Sequence, residues 1–396
     1  MKLEEACRQG FGLHQTFPPR FGWLKKAFDE AQKNPTIFSK QDATVQLGVG
    51  KNMVDAIAFW AVAFRILETS QDSKKSASIY KLTAFGSLLF DEKNEKMGLD
   101  PYLESPQSLW LLHWMAMRPV SRLPVWWLTF AMFSQTEFNT EDLYSFVFEE
   151  TEERWDYSKE KPIQKDLDCM MRMYSPRVAK AKASLDDYLD SPFRDLGLIV
   201  PSSISSKDRN SYRFQIGEKP GLAPLMVLLA CLDFMNLQGT NSLTAPRLAT
   251  DIGSPGRVFR LNEAALNAAL STASTSIKNV SLSSQAGVPQ LSIENKKSIH
   301  EVIAEVIEAM YPGKKIQVDI ADVFPQKVVS NTPLLQSEKK SISPKIRQKS
   351  DDTAASTKKA GSVKKSSVKA TVKKTDVKKN TSKKNVAKKT TKSRGK

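Results

Sequence analysis

The sequence predicts a mainly α chain with small β wings, an α+β fold, ending in a disordered basic tail. Three observations carry that expectation. Apolar residues recur at helical spacing through most of the chain before Gln326, with only brief strand-like alternations. A glycine turn at Gly48 and Gly50 joins two short helical stretches and is followed by a strand and a capped helix. Beyond about Gln326 the aromatics stop and lysines dominate. A chain of 396 residues has room for several modules. The expected division is a winged helix-turn-helix DNA-binding module over 1–100, a helical domain over 101–205, a second helical or winged-type module over 206–325, and a Lys-rich disordered tail over 326–396.

From the N-terminus onward, Ser39 can cap a helix starting near Lys40, and Ala43, Leu47, Val49, Val54 and Ile57 have the spacing of two helices packed across a turn. The second helix begins at Lys51, so Lys51, Asn52 and Asp55 project from its first turn, the part of a recognition helix that meets base edges or phosphates. Ile79, Tyr80 and Leu82 read as a strand, and Thr83 caps the helix that Leu88 and Leu89 continue. Ser105-Pro106 opens another helix, Val125 to Phe133 forms a second, and Thr140-Glu141-Asp142 caps a third. The charged run from Thr151 to Lys165 reads as an exposed connection, and Asp166 to Tyr174 is helical again. A strand at Tyr212–Ile216 precedes an apolar helix at Leu222–Leu237, and Thr244 caps the next helix. Gly253 to Gly256 turns into an expected strand, Val258–Leu261, after which Asn262-Glu263 caps a helix. Residues 296–311 form a closing amphipathic helix with Ile299, Val302, Ile303, Val306 and Ile307 on one stripe.

Charge is distributed unevenly. From Ser337 to Lys396 there are 21 Lys and Arg against 4 Asp and Glu, which leaves 38 against 39 in the first 336 residues. The tail is therefore a solvated polycation on a nearly neutral body, suited to phosphate backbones through lysine doublets such as Lys364-Lys365, Lys373-Lys374 and Lys378-Lys379. It has no aromatic for base stacking. No apolar run approaches a membrane span, and the N-terminus lacks the apolar core of a secretory signal, so no membrane association and a cytoplasmic location are expected. Scattered Cys7, Cys169 and Cys231, with His14, His113 and His300, exclude zinc fingers and disulfide scaffolds. A phosphate loop at GVGKN fails because Val45 and Asn52 stand where Gly and Ser or Thr are needed, so no nucleotide site is expected.

No Ser–His–acid or GxSxG arrangement is visible. His14, beside Arg20, Lys25 and Lys26, suits phosphodiester chemistry as a proton carrier or phosphate contact; alternatively it packs in a turn against Phe11 and Phe17. Asp100 and Asp166 are the other candidate catalytic residues, and a divalent ion, Mg²⁺ or Mn²⁺, would be the expected cofactor, its ligands unassigned. Asp186, Asp187 and Asp190 could hold such an ion or simply form a solvated helix face. His113, within an apolar helix, reads as a satisfied core histidine, and Trp110 and Trp114, one turn apart, as core. Arg257 and Arg260 join Arg20, Lys25, Lys26, Lys51, Asn52 and the tail lysines as candidate DNA contacts.

Several long motifs go further. They are HxTFxPRxGWLKK at His14–Lys26, LGVGKNMV at Leu47–Val54, DPYLExPxSLWLLHW at Asp100–Trp114, KDLDxMxRMY at Lys165–Tyr174, LDSPFRDLGLI at Leu189–Ile199 and GSPGRVFRLNE at Gly253–Glu263. Together they resemble a bacterial family encoded in DNA phosphorothioation gene clusters, in particular the B component of the Ssp-type system. Gln15 stands where the family pattern carries Glu. The resemblance implies a role in replacing a non-bridging phosphate oxygen of DNA with sulfur during anti-phage defence, the B component acting as a DNA nickase. It also implies partners: a cysteine desulfurase, an ATP-dependent sulfurtransferase and an ATPase. Two further readings stand beside the nickase: a non-catalytic DNA-binding adaptor that recruits the sulfur-transfer enzymes, and a transcriptional regulator.

Overall fold

A computed structural model describes residues 1–326 apart from 72–77, 93–96, 177–190, 203–210, 286 and 295–296. The acids Asp186, Asp187 and Asp190 and every tail lysine named above lie outside the described residues.

Helices of four to sixteen residues carry three small antiparallel sheets. Leu67–Gln71 pairs with Ser78–Leu82; Ser211–Phe214 runs between Glu137–Asn139 and Ile199–Pro201; Val288–Ile293 runs between Ser242–Thr244 and Val280–Gln285. A connected apolar core extends in sequence from Leu3 to Phe324. Trp60, Trp110, Trp114, Trp126 and Trp127 are among its largest fully buried side chains, so the Trp110–Trp114 pair is core. Among the described residues no helix is long and apolar enough to cross a membrane.

Near the N-terminus, Trp23–Lys33 is amphipathic: Trp23, Leu24, Ala27, Phe28 and Ala31 turn inward while Lys26 and Lys33 stay exposed. The expected pair of short helices follows, as Ala43–Leu47 and Lys51–Ala63. The first starts at Ala43 rather than near Lys40, because Ser39 closes a 3₁₀ turn at Ile37–Ser39 instead of capping. Gly48 sits at φ 63°, the left-handed geometry that ends the first helix without a Cβ penalty. The hairpin after Lys51–Ala63 pairs Leu67 with Leu82, and Thr83 then caps Ala84–Phe90 by accepting from the Gly86 amide at 2.9 Å. A Cβ on Gly86 would lie 2.3 Å from the Ile66 carbonyl oxygen, which explains the glycine three residues after the threonine. The order helix, turn, helix, hairpin, helix is thus present. The second helix, however, is buried at every residue from Ala56 to Ala63, so only its first turn, with Lys51, Asn52 and Asp55, reaches the surface.

Farther along, Ser105 caps Pro106–Met117, and Pro124–Trp127 widens into a π-helical turn at Leu128–Met132. Asn139, not Thr140, caps Thr140–Trp155, in a reciprocal box with Asp142. The exposed connection expected over Thr151–Lys165 shrinks to 156–159, since the helix runs on to Trp155 and Glu160–Tyr174 begins at once. The expected strand at Val258–Leu261 is not formed. Ser254 instead caps a helical turn, Pro255–Val258, where proline at the first helical position presets the backbone. The closing helix is Ile299–Met310, with Ser298 and Glu301 forming a capping box.

One buried ion pair ties these elements together. Arg118, at the end of Pro106–Met117, donates from Nε and Nη2 to Asp233 of Pro224–Gln238 at 2.6 and 2.9 Å, with neither side chain exposed. Trp114 Nε1 donates to the same carboxylate, and Arg118 Nη2 reaches the Pro325 carbonyl at 2.8 Å. Removing one partner leaves an uncompensated buried charge, so Asp233→Asn should cost ~3–5 kcal/mol of unfolding free energy in urea melts. A cost under ~1 kcal/mol would mean that the pair is not a structural centre.

Candidate functional site

The strongest polar constellation links the N-terminal segment to the Glu160–Tyr174 helix. Asp166 projects from that helix, and its Oδ1 accepts from the Gly12 amide at 2.7 Å and from His14 Nε2 at 2.8 Å. Both are deeply buried, His14 at 1% exposure and Asp166 at 3%. The imidazole stacks on Trp60 with ring centroids 6.0 Å apart and meets the edge of Trp126 at 5.8 Å. Its Nδ1 has no hydrogen-bond partner. Gln15 and Thr16, at φ 50° and 66°, form a left-handed turn unusual for non-glycine residues. That turn is pinned from both sides: Arg172 donates to the Thr16 carbonyl at 2.5 Å, and Trp60 Nε1 to the Phe17 carbonyl at 2.8 Å.

Two side chains join the pair that the sequence reading did not nominate. Cys169 lies three residues after Asp166, on the same helix face, and is fully buried. Burial opposes charge on His14, but Cys169 and Asp166 outweigh it and hold the imidazole at about 10. Tyr157 stacks on Phe11 at 4.4 Å, and burial and the Asp166 carboxylate push its unpartnered hydroxyl up to about 12. The DLDC spacing within KDLDxMxRMY was the one available signal for Cys169; nothing local marks Tyr157.

Asp100 does a different job. Its oxygens accept from the Glu104 and Ser105 amides, each at 2.9 Å, and from Ser108 Oγ at 2.6 Å, so it fastens the start of Pro106–Met117. Of the three acid–base candidates, the fold joins His14 to Asp166 and binds Asp100 to the start of a helix. His113 is the expected core histidine: Nε2 donates to the Val258 carbonyl at 3.0 Å, Tyr174 Oη contacts Nδ1 at 2.8 Å, and burial lowers its pKa to about 4.

The candidate DNA-contacting cations also separate. Lys51 and Asn52 are exposed at the helix tip. Lys26 is exposed and donates to the Leu47 carbonyl at 3.1 Å, just before the Gly48–Gly50 turn. Lys25 is committed to Asp29 and Glu92, and Arg20 lies over the Trp23 ring at 5.7 Å. Arg257 and Arg260 hold the chain together instead: Arg257 donates to the Thr250 and Met132 carbonyls, and Arg260 to those of Phe133 and Thr129, its guanidinium 3.6 Å from the Phe214 ring centroid. Burial, with nearby Arg257, lowers Arg260 to about 9. Lys219 supports the same corner through the Gly217 and Arg260 carbonyls, and burial beside Arg260 brings it down to about 7. No local pattern in the sequence distinguishes it.

A protein family of unknown function, DUF4007, matches residues 11–311, so the chain belongs to that family. No curated protein matches. Among solved structures, magnesium ion-bound SspB is 33% identical with a TM-score of 0.72, the match covering 82% of this chain and 96% of that one. A second SspB structure is 31% identical with a TM-score of 0.70, covering 86% and 95%. The chain is thus a member of the SspB family, the B component of the Ssp-type phosphorothioation system that its motifs resemble.

The charge on His14 has a consequence for stability. A folded pKa of about 10 against an ordinary 6.5 stabilises the fold fully below about 6.5 and progressively less as pH rises through about 10. The difference in unfolding free energy between wild type and His14→Gln, from urea melts, should therefore shrink across that window. Taking the difference removes Lys219, whose lowered pKa acts in the opposite direction. A difference independent of pH would mean that the folded imidazole is neutral.

Proposed function

We propose that this chain is the DNA-engaging component of a bacterial DNA phosphorothioation and anti-phage system, and that it nicks DNA so that sulfur can enter the backbone. The observation that carries the reading is the likeness to SspB at 33% identity over 82% of the chain. Supporting it are the exposed Lys51–Asn52 tip beyond a glycine turn, with Lys26 beside it, and the Lys-rich C-terminal sequence. On this reading a cysteine desulfurase, an ATP-dependent sulfurtransferase and an ATPase supply the sulfur and ATP chemistry, and this chain supplies contact with DNA.

His14, oriented by Asp166, is the group best suited to phosphodiester chemistry. With a pKa of about 10 the imidazole carries its proton at neutral pH, so it would steady phosphate charge or protonate the leaving oxygen rather than act as a base. Phosphate access requires the His14–Phe17 turn to open, since the aromatic enclosure is closed. The nickase reading includes Mg²⁺ or Mn²⁺, and one SspB structure has magnesium bound. Mg²⁺ favours oxygen ligands and several waters. Among the described residues no group of three or more His, Cys, Asp or Glu could hold a metal, so the enclosed His14–Asp166 pair does not fit as its cage.

The enclosure of that pair and the use of Asp100 to fasten a helix start favour a second reading, a non-catalytic DNA-binding adaptor for the sulfur-transfer enzymes. A supercoiled-plasmid assay separates the two. The nickase should yield open circles with Mn²⁺, none in chelator, and none after His14→Ala. Intact DNA binding without nicking selects the adaptor. Deleting 337–396 should flatten the salt dependence of DNA affinity by a slope of about 7 if about eight lysines engage. In that shortened chain, Lys51→Ala should lower the remaining slope by about 1. A slope untouched by either change would remove the tail or the helix tip from the interface.

A further inference from the structure

We propose that the cleft between the Trp23–Lys33 helix and the Pro101–Leu103 turn receives a single unpaired DNA base, stacked on Phe21 and Tyr102. The inference rests on the DNA-engaging reading above and deepens it.

Phe21 is 61% and Tyr102 59% exposed, and they are the two exposed large aromatic side chains among the described residues. Both line one cleft of about 330 Å³, at the small end of ligand pockets, with Gly22, Pro101 and Leu103 between them. An aromatic ring held at the surface gains nothing from the core, and two at one cleft make a platform for another flat ring. The Tyr102 ring is held in place. Its hydroxyl donates to Glu92 at 2.9 Å, Glu92 pairs with Lys25 at 2.6 Å, and Lys25 pairs with Asp29 at 2.7 Å. This chain uses the carboxylates of Asp29 and Glu92 to neutralise Lys25, as Glu30 does for Lys33, which among the described residues leaves Lys26 as the cation on the cleft wall without a carboxylate partner.

Lys26 also sets the direction of approach. Its ammonium rests on the Leu47 carbonyl, at the end of the helix that leads through Gly48–Gly50 to Lys51 and Asn52. A DNA backbone lying across that tip runs past Lys26 toward the cleft. A paired base cannot present its face to Phe21 and Tyr102, because its neighbours in the stack cover it. A base in a gap, a bubble or a flipped position can, and stacking there offsets part of the cost of leaving the helix. Two long motifs, HxTFxPRxGWLKK and DPYLE, far apart in sequence, meet at this cleft.

The test compares binding of the full chain to a plain duplex and to the same duplex with one unpaired 5-iodouracil, at fixed salt, with photocrosslinking and mass spectrometry. Using the ratio of the two affinities cancels the contribution of the basic tail. Wild type should prefer the unpaired base by about tenfold or more, Phe21→Ala with Tyr102→Ala should abolish the preference, and Tyr102→Phe should keep it. Crosslinks should fall on Phe21 or Tyr102. Duplex binding without preference, or crosslinks elsewhere, would overturn the cleft and leave the DNA reading standing. No binding to either DNA overturns both. If the double substitution instead dissolves a dimer seen by light scattering and leaves the DNA ratio unchanged, the cleft belongs to a second copy of this chain.

Discussion

Asp233 sits in the middle of an apolar helix where no carboxylate survives unaided, and the way it is neutralised organises much of the chain. Arg118 and Trp114 reach it from the end of Pro106–Met117, and the Pro325 carbonyl takes up another guanidinium donor. Removing two charges from water is costly, and their attraction offsets that cost only with good geometry, which the paired Nε and Nη2 donors supply although Nη1 has no hydrogen-bond partner. The pair therefore dictates where three distant stretches of sequence lie. Arg65 follows from the same constraint: it donates to the Met115 and Arg118 carbonyls at 2.8 and 2.5 Å, closing the helix end that presents Arg118. Burial, with Arg118 nearby, lowers its pKa to about 9.

Three further cations are held by backbone carbonyls. Arg65, Arg260 and Lys219 all donate to backbone carbonyls, those of Arg65 and Arg260 at or near helix ends and those of Lys219 in the Gly217 loop and at Arg260. Orphan carbonyls at such ends need donors, and a guanidinium reaches several at once. In the GSPGRVFRLNE motif Arg260 turns inward in this way, while Arg257 stays partly exposed as it bonds the Thr250 and Met132 carbonyls. Lys26 and Lys51 stay exposed, Lys26 while donating to the Leu47 carbonyl at a helix end.

His14 shows the converse case, a cation held by a carboxylate and enclosed by rings. The left-handed turn at Gln15–Thr16 is tolerated because Arg172 and Trp60 fix it from outside. Strain of this kind persists only where the surroundings over-determine it. The histidine motif is thus a structural latch between the N-terminal segment and Glu160–Tyr174 and also the place where opening would expose a charged imidazole.

Local rules determined the caps and helices: Thr83, Ser105, Asn262 and Ser298 each cap the expected helix, and the short helices on either side of Gly48 were legible from a turn glycine and apolar spacing. These features depend on neighbours within a few residues, which the sequence displays directly. The strand expected at Val258–Leu261 failed because Ser254 and Pro255 favour a helical turn more strongly than the single β-branched residue, Val258, favours a strand. The hairpin at Val280–Ile293 pairs locally across a turn at Gly287, whereas the third strand, Ser242–Thr244, is added by long-range pairing that no local pattern shows. Of the candidate site, His14 and Asp166 were visible by residue type, but only the tertiary structure could join them, bind Asp100 to a helix start and add Cys169. The physical reason is that hydrogen-bond partners 152 residues apart are chosen by packing, which no local pattern encodes.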